Sequence, residues 1–200
     1  MIIGVDFDNT IVSYDALIYK TAIEKGIVPK GISPTKSGVR DFLRKSGKED
    51  AWTELQGFIY GPCILEAEPF PGVMDFFKTC REKGIKAYII SHKTRYPFLG
   101  PKYDLHESAK RWLYEKGFYD CGETGISKED VFLELTKKDK IKRISELGCT
   151  HFIDDLPEFL AEKSFPSNVV RILFDSNNKY KDLGDFEHAV SWLEIAGKLR

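Results

Sequence analysis

The chain of 200 residues carries 30 Lys and Arg against 31 Asp and Glu, a formal net charge of -1, and 42% hydrophobic residues. This length holds one α/β domain with an insertion, and the balanced charge supplies no overall field for nucleic acid or an anionic membrane surface. No stretch approaches the roughly 18 uninterrupted apolar residues of a membrane helix and no basic-then-apolar leader precedes the first strand, so a cytoplasmic location is expected.

Ile2-Ile3-Gly4-Val5 reads as a buried first strand, and Asp6-Phe7-Asp8-Asn9-Thr10 follows it. From about 15 to 64 the pattern is polar and helical, with helices expected near 15–26, 36–45 and 49–60 and Gly26 as a C-terminal stop. No strand-like run interrupts this stretch, which is too long for an ordinary crossover loop, so residues 14–64 are expected to form a small helical cap inserted after the first strand. Val73, Phe76, Phe77 and Cys80 recur at helical spacing and predict a helix over 72–83, ended by Gly84. Residues 85–90 form a second buried strand that stops at Ser91-His92-Lys93-Thr94. A loop with Pro97, Gly100 and Pro101 leads to a helix over 105–115, a strand near 130–135 and a helix over 138–147. A strand over 151–153 ends in Asp154-Asp155, and a strand over 168–174 and a helix over 186–199 close the chain.

Strand and helix alternate, which predicts a doubly wound, mostly parallel Rossmann-like α/β sheet formed by 1–13 and 65–200. Cys63, Cys80, Cys121 and Cys149 are scattered with no Cys-x-x-Cys, so reduced, mostly buried thiols are expected rather than a zinc ribbon or a disulfide framework.

In an extended segment residues two apart share a face, so Asp6 and Asp8 lie close together where the first strand runs out. Two anions about 4 Å apart repel by roughly 4 kcal/mol at an effective dielectric near 20. Such a pair needs a cation, a shared proton or full solvation. The plain alternative is a strand ending in a polar turn, which Asp, Asn and Thr all favour. Position argues for more, because a central parallel strand delivers its C-terminal end to the ligand crevice. Ser91 ends the second strand and Asp154-Asp155 the fourth, and in a doubly wound sheet these ends converge on one rim. Four carboxylates there call for a metal, and their hard oxygens suit Mg²⁺.

At these positions the chain resembles the haloacid dehalogenase superfamily, specifically its phosphatases, over essentially its whole length. The motif Asp-x-Asp-x-Thr after an apolar strand is matched by Asp6, Asp8 and Thr10, the Ser or Thr ending the next core strand by Ser91, and the late acidic pair by Asp154-Asp155. The resemblance implies that Asp6 attacks phosphorus to give an aspartyl-phosphate and that Asp8 protonates the leaving oxygen and later deprotonates water. It implies that Mg²⁺ is held by the Asp6 side chain, the Asp8 backbone carbonyl, Asp154 and Asp155, and that Ser91 and a lysine before the acidic pair hold phosphoryl oxygens. The carboxylate at Asp8 favours phosphoryl transfer over carbon-halogen cleavage, since the family's dehalogenases lack it.

The lysine must be chosen from Lys137, Lys138, Lys140 and Lys142, a charge run of the kind that ordinarily forms a solvated helix face. Lys140 is the choice, because it follows Asp139 just inside the helix. Thr10, Ser91, His92 and Lys93 are the expected substrate contacts, with Arg95 beside them and loop solvation as the plain alternative. Trp52, Phe58 and Tyr60 either line a substrate pocket or form core, and Glu158 is either a supporting carboxylate or a first-turn helix acid. His151 reads as a hydrogen-bonded core residue, and His106 and His188 on predicted helices carry no signal.

The leading expectation is a Mg²⁺-dependent phosphatase acting on a small phosphorylated metabolite, with no nucleic-acid or membrane partner. A receiver-type phospho-acceptor module also uses an Asp acceptor, an acidic metal pair and a lysine, but there the acidic doublet lies on the first strand and a cap has no place. A catalytically silent phosphate-binding protein of the same fold is the third reading.

Overall fold

The computed structural model describes residues 1–180, 184 and 186–199. In chain order the elements are β1 (Ile2–Val5), β2 (Val12–Ser13), α1 (Asp15–Glu24), α2 (Lys36–Lys45), α3 (Glu49–Tyr60), β3 (Glu68–Pro69), α4 (Val73–Glu82), β4 (Lys86–His92) and α5 (Leu105–Glu115). They continue with β5 (Val131–Glu134), α6 (Lys137–Glu146), β6 (His151–Asp154), α7 (Pro157–Leu160), β7 (Val170–Phe174), β8 (Glu187–Ala189) and α8 (Trp192–Lys198). Among the described residues no helix is long and apolar enough to cross a membrane.

Contacts divide the chain into two units, one of Met1–Val12, Pro69–Lys93 and Gly117–Arg200, the other of Ser13–Glu68 and Thr94–Lys116. The sequence predicts a second unit made of one insertion, 14–64. Here it also takes in Thr94–Lys116, because Leu105, Ala109, Trp112 and Leu113 of α5 turn an apolar face that is buried within that unit.

The first unit holds a six-stranded sheet in the order β5-β4-β1-β6-β7-β8, with every pairing parallel. Parallel strands covered on both faces must be apolar on both, and Ile3, Val5, Ile89, Ile90, Phe152 and Ile153 are all fully buried. On one face Ile90, Phe152 and Leu173 pack with Ile141 and Ile144 of α6 and Phe159 and Leu160 of α7. Helices α4 and α8 meet through Phe76 and Trp192, whose rings lie 4.8 Å apart. Gly4 is where β1 comes closest to its neighbours: a Cβ there would lie 2.6 Å from the Phe152 ring and 3.2 Å from Ile90 Cδ1.

β1 sits where the strand order reverses, with β4 on one side and β6 on the other, the position at which doubly wound sheets bind ligands. Val5 is in register with both Ile89 and Ile153, so the residues after these three strands reach one rim together.

Several boundaries differ from the sequence expectation, and those at the rim matter for the site. β4 runs on to His92, and β6 includes Asp154, so Ser91 and Asp154 are strand residues with fixed directions. The helix expected over 186–199 begins only at Trp192. Ser191 caps it by accepting from the Glu194 N–H, Glu194 reaches back to the Val190 N–H, and the residues before this box pair with β7 as the edge strand β8.

In the second unit α1, α2 and α3 pack on one another, with Thr35 capping α2 through the Gly38 N–H. Trp52 is buried core, Tyr60 stacks on Tyr14 at 4.6 Å, and the Lys25 ammonium lies 4.0 Å over the Phe58 ring. The Trp112 indole donates to the Ala67 carbonyl at 2.9 Å, tying α5 to the return segment. All four cysteines are free: Cys80 and Cys149 are buried, Cys63 is half-buried and Cys121 is exposed.

Candidate active site

The site lies wholly in the first unit. β1 gives way to a tight turn in which the Phe7 carbonyl accepts from both the Ile11 and Val12 N–H groups. Asn9 supplies the left-handed backbone that this turn needs, at φ 58°, a conformation Asn tolerates better than most residues. The Asp6 N–H still donates to the Ile153 carbonyl at 2.9 Å, so Asp6 is held by the sheet while the chain turns away after it.

Asp6 receives two donors on one oxygen. Ser91 Oγ donates to Oδ1 at 2.9 Å and Lys140 Nζ to the same atom at 2.6 Å. Lys140 also donates to Asp154 Oδ2 at 2.6 Å, and Asp154 Oδ1 accepts from the Leu156 N–H at 2.9 Å. Asp6, Ser91, Lys140 and Asp154 are all buried.

The place of Lys140 follows from the start of α6. Thr136 caps the helix by accepting from the Asp139 N–H at 3.0 Å, which sets Lys140 on the same side as Ile141 and Ile144, the buried face. Lys137, Lys138 and Lys142 are exposed. The Lys140 ammonium lies over the rings of Phe159 and Phe152, 4.1 and 5.2 Å from their centroids.

Burial alone would lower the Lys140 pKa, but the charges of Asp154 and Asp6 outweigh it and hold the ammonium above its ordinary range. Burial, with Asp6 alongside, pushes Asp154 up to about 7 against the pull of Lys140. The lysine faces two anions, which outweigh its burial, while Asp154 has only a shared cation to set against its own burial.

This donor set fits a hard divalent cation. Carboxylate oxygens of Asp6, Asp154 and Asp155 lie within 4.8 Å of one another, an all-oxygen group of the kind Mg²⁺ takes. Asp154, which burial has moved toward neutrality, is the group a cation would return to its charged form.

The side chain of Asp8 stands outside that group. Both of its oxygens accept from Lys93 Nζ, at 2.9 and 2.7 Å, and Lys93 is only 3% exposed. Lys93, expected to contact substrate as part of a loop, is therefore a buried partner of Asp8. His92, between Ser91 and Lys93, is exposed; partial shelter of its ring, and then the Lys140 charge, lower its pKa.

Thr10 was expected among the substrate contacts, and the structure places it below the surface. Thr10 is fully buried, its carbonyl accepts from the Trp192 indole at 3.1 Å, and its hydroxyl is enclosed with no hydrogen-bond partner among the described residues. The turn at Asn9 carries it beneath the rim rather than onto it.

Arg95 belongs to the second unit, where it pairs with Asp104 at 3.0 Å. Glu158 is an exposed acid in the first turn of α7, and His151 bonds Thr150 at 2.9 Å, its pKa lowered by burial. A carboxylate that sequence reasoning passed over is Asp175, buried just after β7. Burial would raise it, but the backbone N–H groups of Lys179 and Tyr180 and the ring of His188, 3.0 Å away, hold it below the usual range. His188 was expected on a helix and lies instead on β8. The signal available for it was the Ser191-x-x-Glu194 box, which starts the helix after it.

No protein-family model matches this chain, and no curated protein matches it by sequence. Solved structures do match in three dimensions. One described as a predicted phosphatase from Clostridium acetobutylicum aligns at a TM-score of 0.60 with 15% identity, covering 98% of this chain and 96% of that one. The fold is that of the haloacid dehalogenase-superfamily hydrolases. A phosphoserine phosphohydrolase-like protein from Francisella tularensis aligns at 0.56 with 15% identity over 99% of both chains. The HAD-hydrolase YfnB from Bacillus subtilis, described as putative and solved bound to magnesium, aligns at 0.52 with 12% identity over 98% of this chain and 96% of that one. The six-stranded parallel sheet lies in the first unit, and the candidate site occupies the C-terminal edge of β1.

Proposed function

We propose that this chain is a HAD-superfamily phosphatase, Mg²⁺-dependent, that hydrolyses a small phosphorylated metabolite through an aspartyl-phosphate on Asp6. The observation that carries this reading is the convergence of Ser91 and Lys140 on a single oxygen of Asp6. With Oδ1 pinned by two donors, the carboxylate cannot rotate and Oδ2 is the oxygen presented to phosphorus.

Asp6 Oδ2 attacks phosphorus as the bond to the leaving oxygen breaks, and the Asp8 carboxyl gives its proton to that oxygen. Asp8 then takes a proton from the water that attacks the phosphorylated Asp6, which restores both groups. Lys140 has a further N–H to place where charge grows on the phosphoryl oxygens, while the single Ser91 proton holds Asp6 Oδ1. Asp6, Asp154 and Asp155, with the Asp8 backbone carbonyl, would hold Mg²⁺, which when bound offsets phosphoryl charge so that an anionic nucleophile can approach. The second unit enters the chain directly after Val12 and again directly after Lys93, and we assign it the choice of substrate.

The test is a panel of phosphate monoesters with and without Mg²⁺, against an Asp6→Asn control. The expected result is repeated turnover that needs Mg²⁺ and falls at least about 10³-fold in the control. A single stoichiometric phosphorylation would instead indicate a receiver-type acceptor, and no turnover above the control would indicate a silent binding protein.

A further inference from the structure

Side chains just after β1 and at the end of β4 meet in two pairs. Asp6 and Asp8 are two apart in the chain, as are Ser91 and Lys93. Ser91 Oγ bonds Asp6, and Lys93 Nζ bonds both oxygens of Asp8. Lysine ammonium groups are strongly hydrated and rarely leave water, yet the Lys93 side chain is 2% exposed. Its backbone is fixed as well. The Lys93 N–H donates to the Glu134 carbonyl at 2.8 Å, carrying the ladder to β5 one residue past the end of β4. Its ammonium lies 5.5 Å from the ring of Phe7, which is itself fully buried.

We propose that Lys93 is a positioning residue for Asp8: it sets the plane and rotation of the carboxyl that exchanges the proton with the leaving oxygen, and it does not bind the phosphoryl group. This rests on the phosphatase reading above. When the ester bond breaks, its electron pair passes to the leaving oxygen and the proton on one Asp8 oxygen follows, while the other Asp8 oxygen stays on Lys93. Bonds to both oxygens set the rotation about the Asp8 Cβ–Cγ bond in the ionised form, and the one oxygen that stays on Lys93 keeps that setting when the other carries the proton, so the proton is aimed before substrate arrives. A lysine that instead left Asp8 to grip phosphate would strand one anion beside another.

In the transfer to Asp6, positioning of a proton donor is felt only where the leaving oxygen needs a proton; the later attack of water on phosphorylated Asp6 is the same for every ester. The measurement is therefore kcat/KM, which reports the transfer to Asp6 and not that later step, for Lys93→Met and Lys93→Arg on p-nitrophenyl phosphate, whose leaving phenolate is stable without a proton, and on the alkyl phosphate that the wild type turns over best. For Lys93→Met, kcat/KM should fall about 10²-fold on the alkyl ester, the lower end of what proton transfer contributes. On the aryl ester it should fall by no more than about threefold, with the inhibition constant of inorganic phosphate steady. Lys93→Arg, which restores a cation, should recover part of the alkyl activity. Equal losses of kcat/KM on both esters, or a tenfold rise in the inhibition constant of inorganic phosphate, would overturn the proposal.

Should Lys93→Met fail to fold, the pair Asp8→Asn/Lys93→Met leaves no carboxylate stranded and carries the test. Its constants on both esters should match those of Asp8→Asn alone, and a further loss would show that Lys93 acts by a route other than Asp8. An inactive wild type on every ester would overturn the phosphatase reading itself. An active wild type whose Lys93 variants do not discriminate between esters would overturn the positioning role alone.

Discussion

Lys140 Nζ lies 2.6 Å from Asp6 Oδ1, joining the first turn of α6 to a residue 134 positions earlier at the end of β1. The same ammonium holds Asp154 at 2.6 Å, so one buried cation ties two strands and a helix together. The geometry around Asp6 and the stability of the buried site therefore depend on the same contact.

Lys140→Met keeps the volume of the stem and removes the charge, leaving Asp6 and Asp154 buried and facing one another. Removing one partner of a buried ion pair costs about 3–5 kcal/mol. Urea unfolding without metal should show a loss of that order, and Mg²⁺ should recover part of it by taking over the neutralisation. Turnover should remain low even where the variant is folded.

Asp154 sets a pH dependence in the metal-free protein. Its carboxyl is raised from 3.8 to about 7 by burial, so between those values the folded state holds a proton that the unfolded chain has released. Stability should therefore fall as pH rises through that window, by at most about 1.4 kcal/mol per pH unit, and level off above it. A bound divalent cation favours the charged form and removes this slope. The stabilisation by Mg²⁺ measured in thermal unfolding should accordingly be larger at pH 8 than at pH 5.

Asp154→Asn removes an anionic oxygen from the acidic group of Asp6, Asp154 and Asp155. The thermal shift produced by Mg²⁺ should shrink or vanish, and the Mg²⁺ concentration giving half-maximal turnover should rise at least about tenfold, the lower end of what a single polar partner of a metal site contributes. An unchanged Mg²⁺ requirement would place the ion elsewhere.

Thr136→Ala removes the cap of α6 and should cost about 1 kcal/mol. Because that cap sets the turn from which Lys140 projects, the variant should also lose some turnover while KM holds, read from steady-state kinetics on the best substrate of the panel.

Gly4→Ala should destabilise by about 1–3 kcal/mol through overpacking, since its Cβ would stand 2.6 Å from a Phe152 ring that is fully buried. Paired with Phe152→Leu, which makes room, the loss should be smaller than the sum of the two single variants, measured by denaturant unfolding.

Much of the first unit was legible in the chain. The apolar runs before Asp6, Ser91 and Asp154 are continuous because parallel strands are covered on both faces, and a run that ends in a carboxylate marks the place where cover ends. Alternation of strand and helix then orders the sheet, and the ends converge. Lys140 was also within reach, because the capping Thr136 fixes which lysine of the run turns inward. His188 was misplaced for a local reason, because the box at Ser191 delays the last helix past it, and the burial of Thr10 after the left-handed turn at Asn9 was not legible in the motif.

The sequence by itself determined the apolar strand runs, the order of the chemical groups that follow them and the helical pattern after the first strand, since each depends on period, turn chemistry and neighbours within a few positions. Only the tertiary structure decided that Lys93 leaves solvent for Asp8, that Asp6 and Asp154 share one ammonium, and that Thr94–Lys116 joins the second unit. Those outcomes turn on which charges meet after burial, and a charge taken out of water pairs with whatever lies nearest in space, a distance that position in the chain does not record.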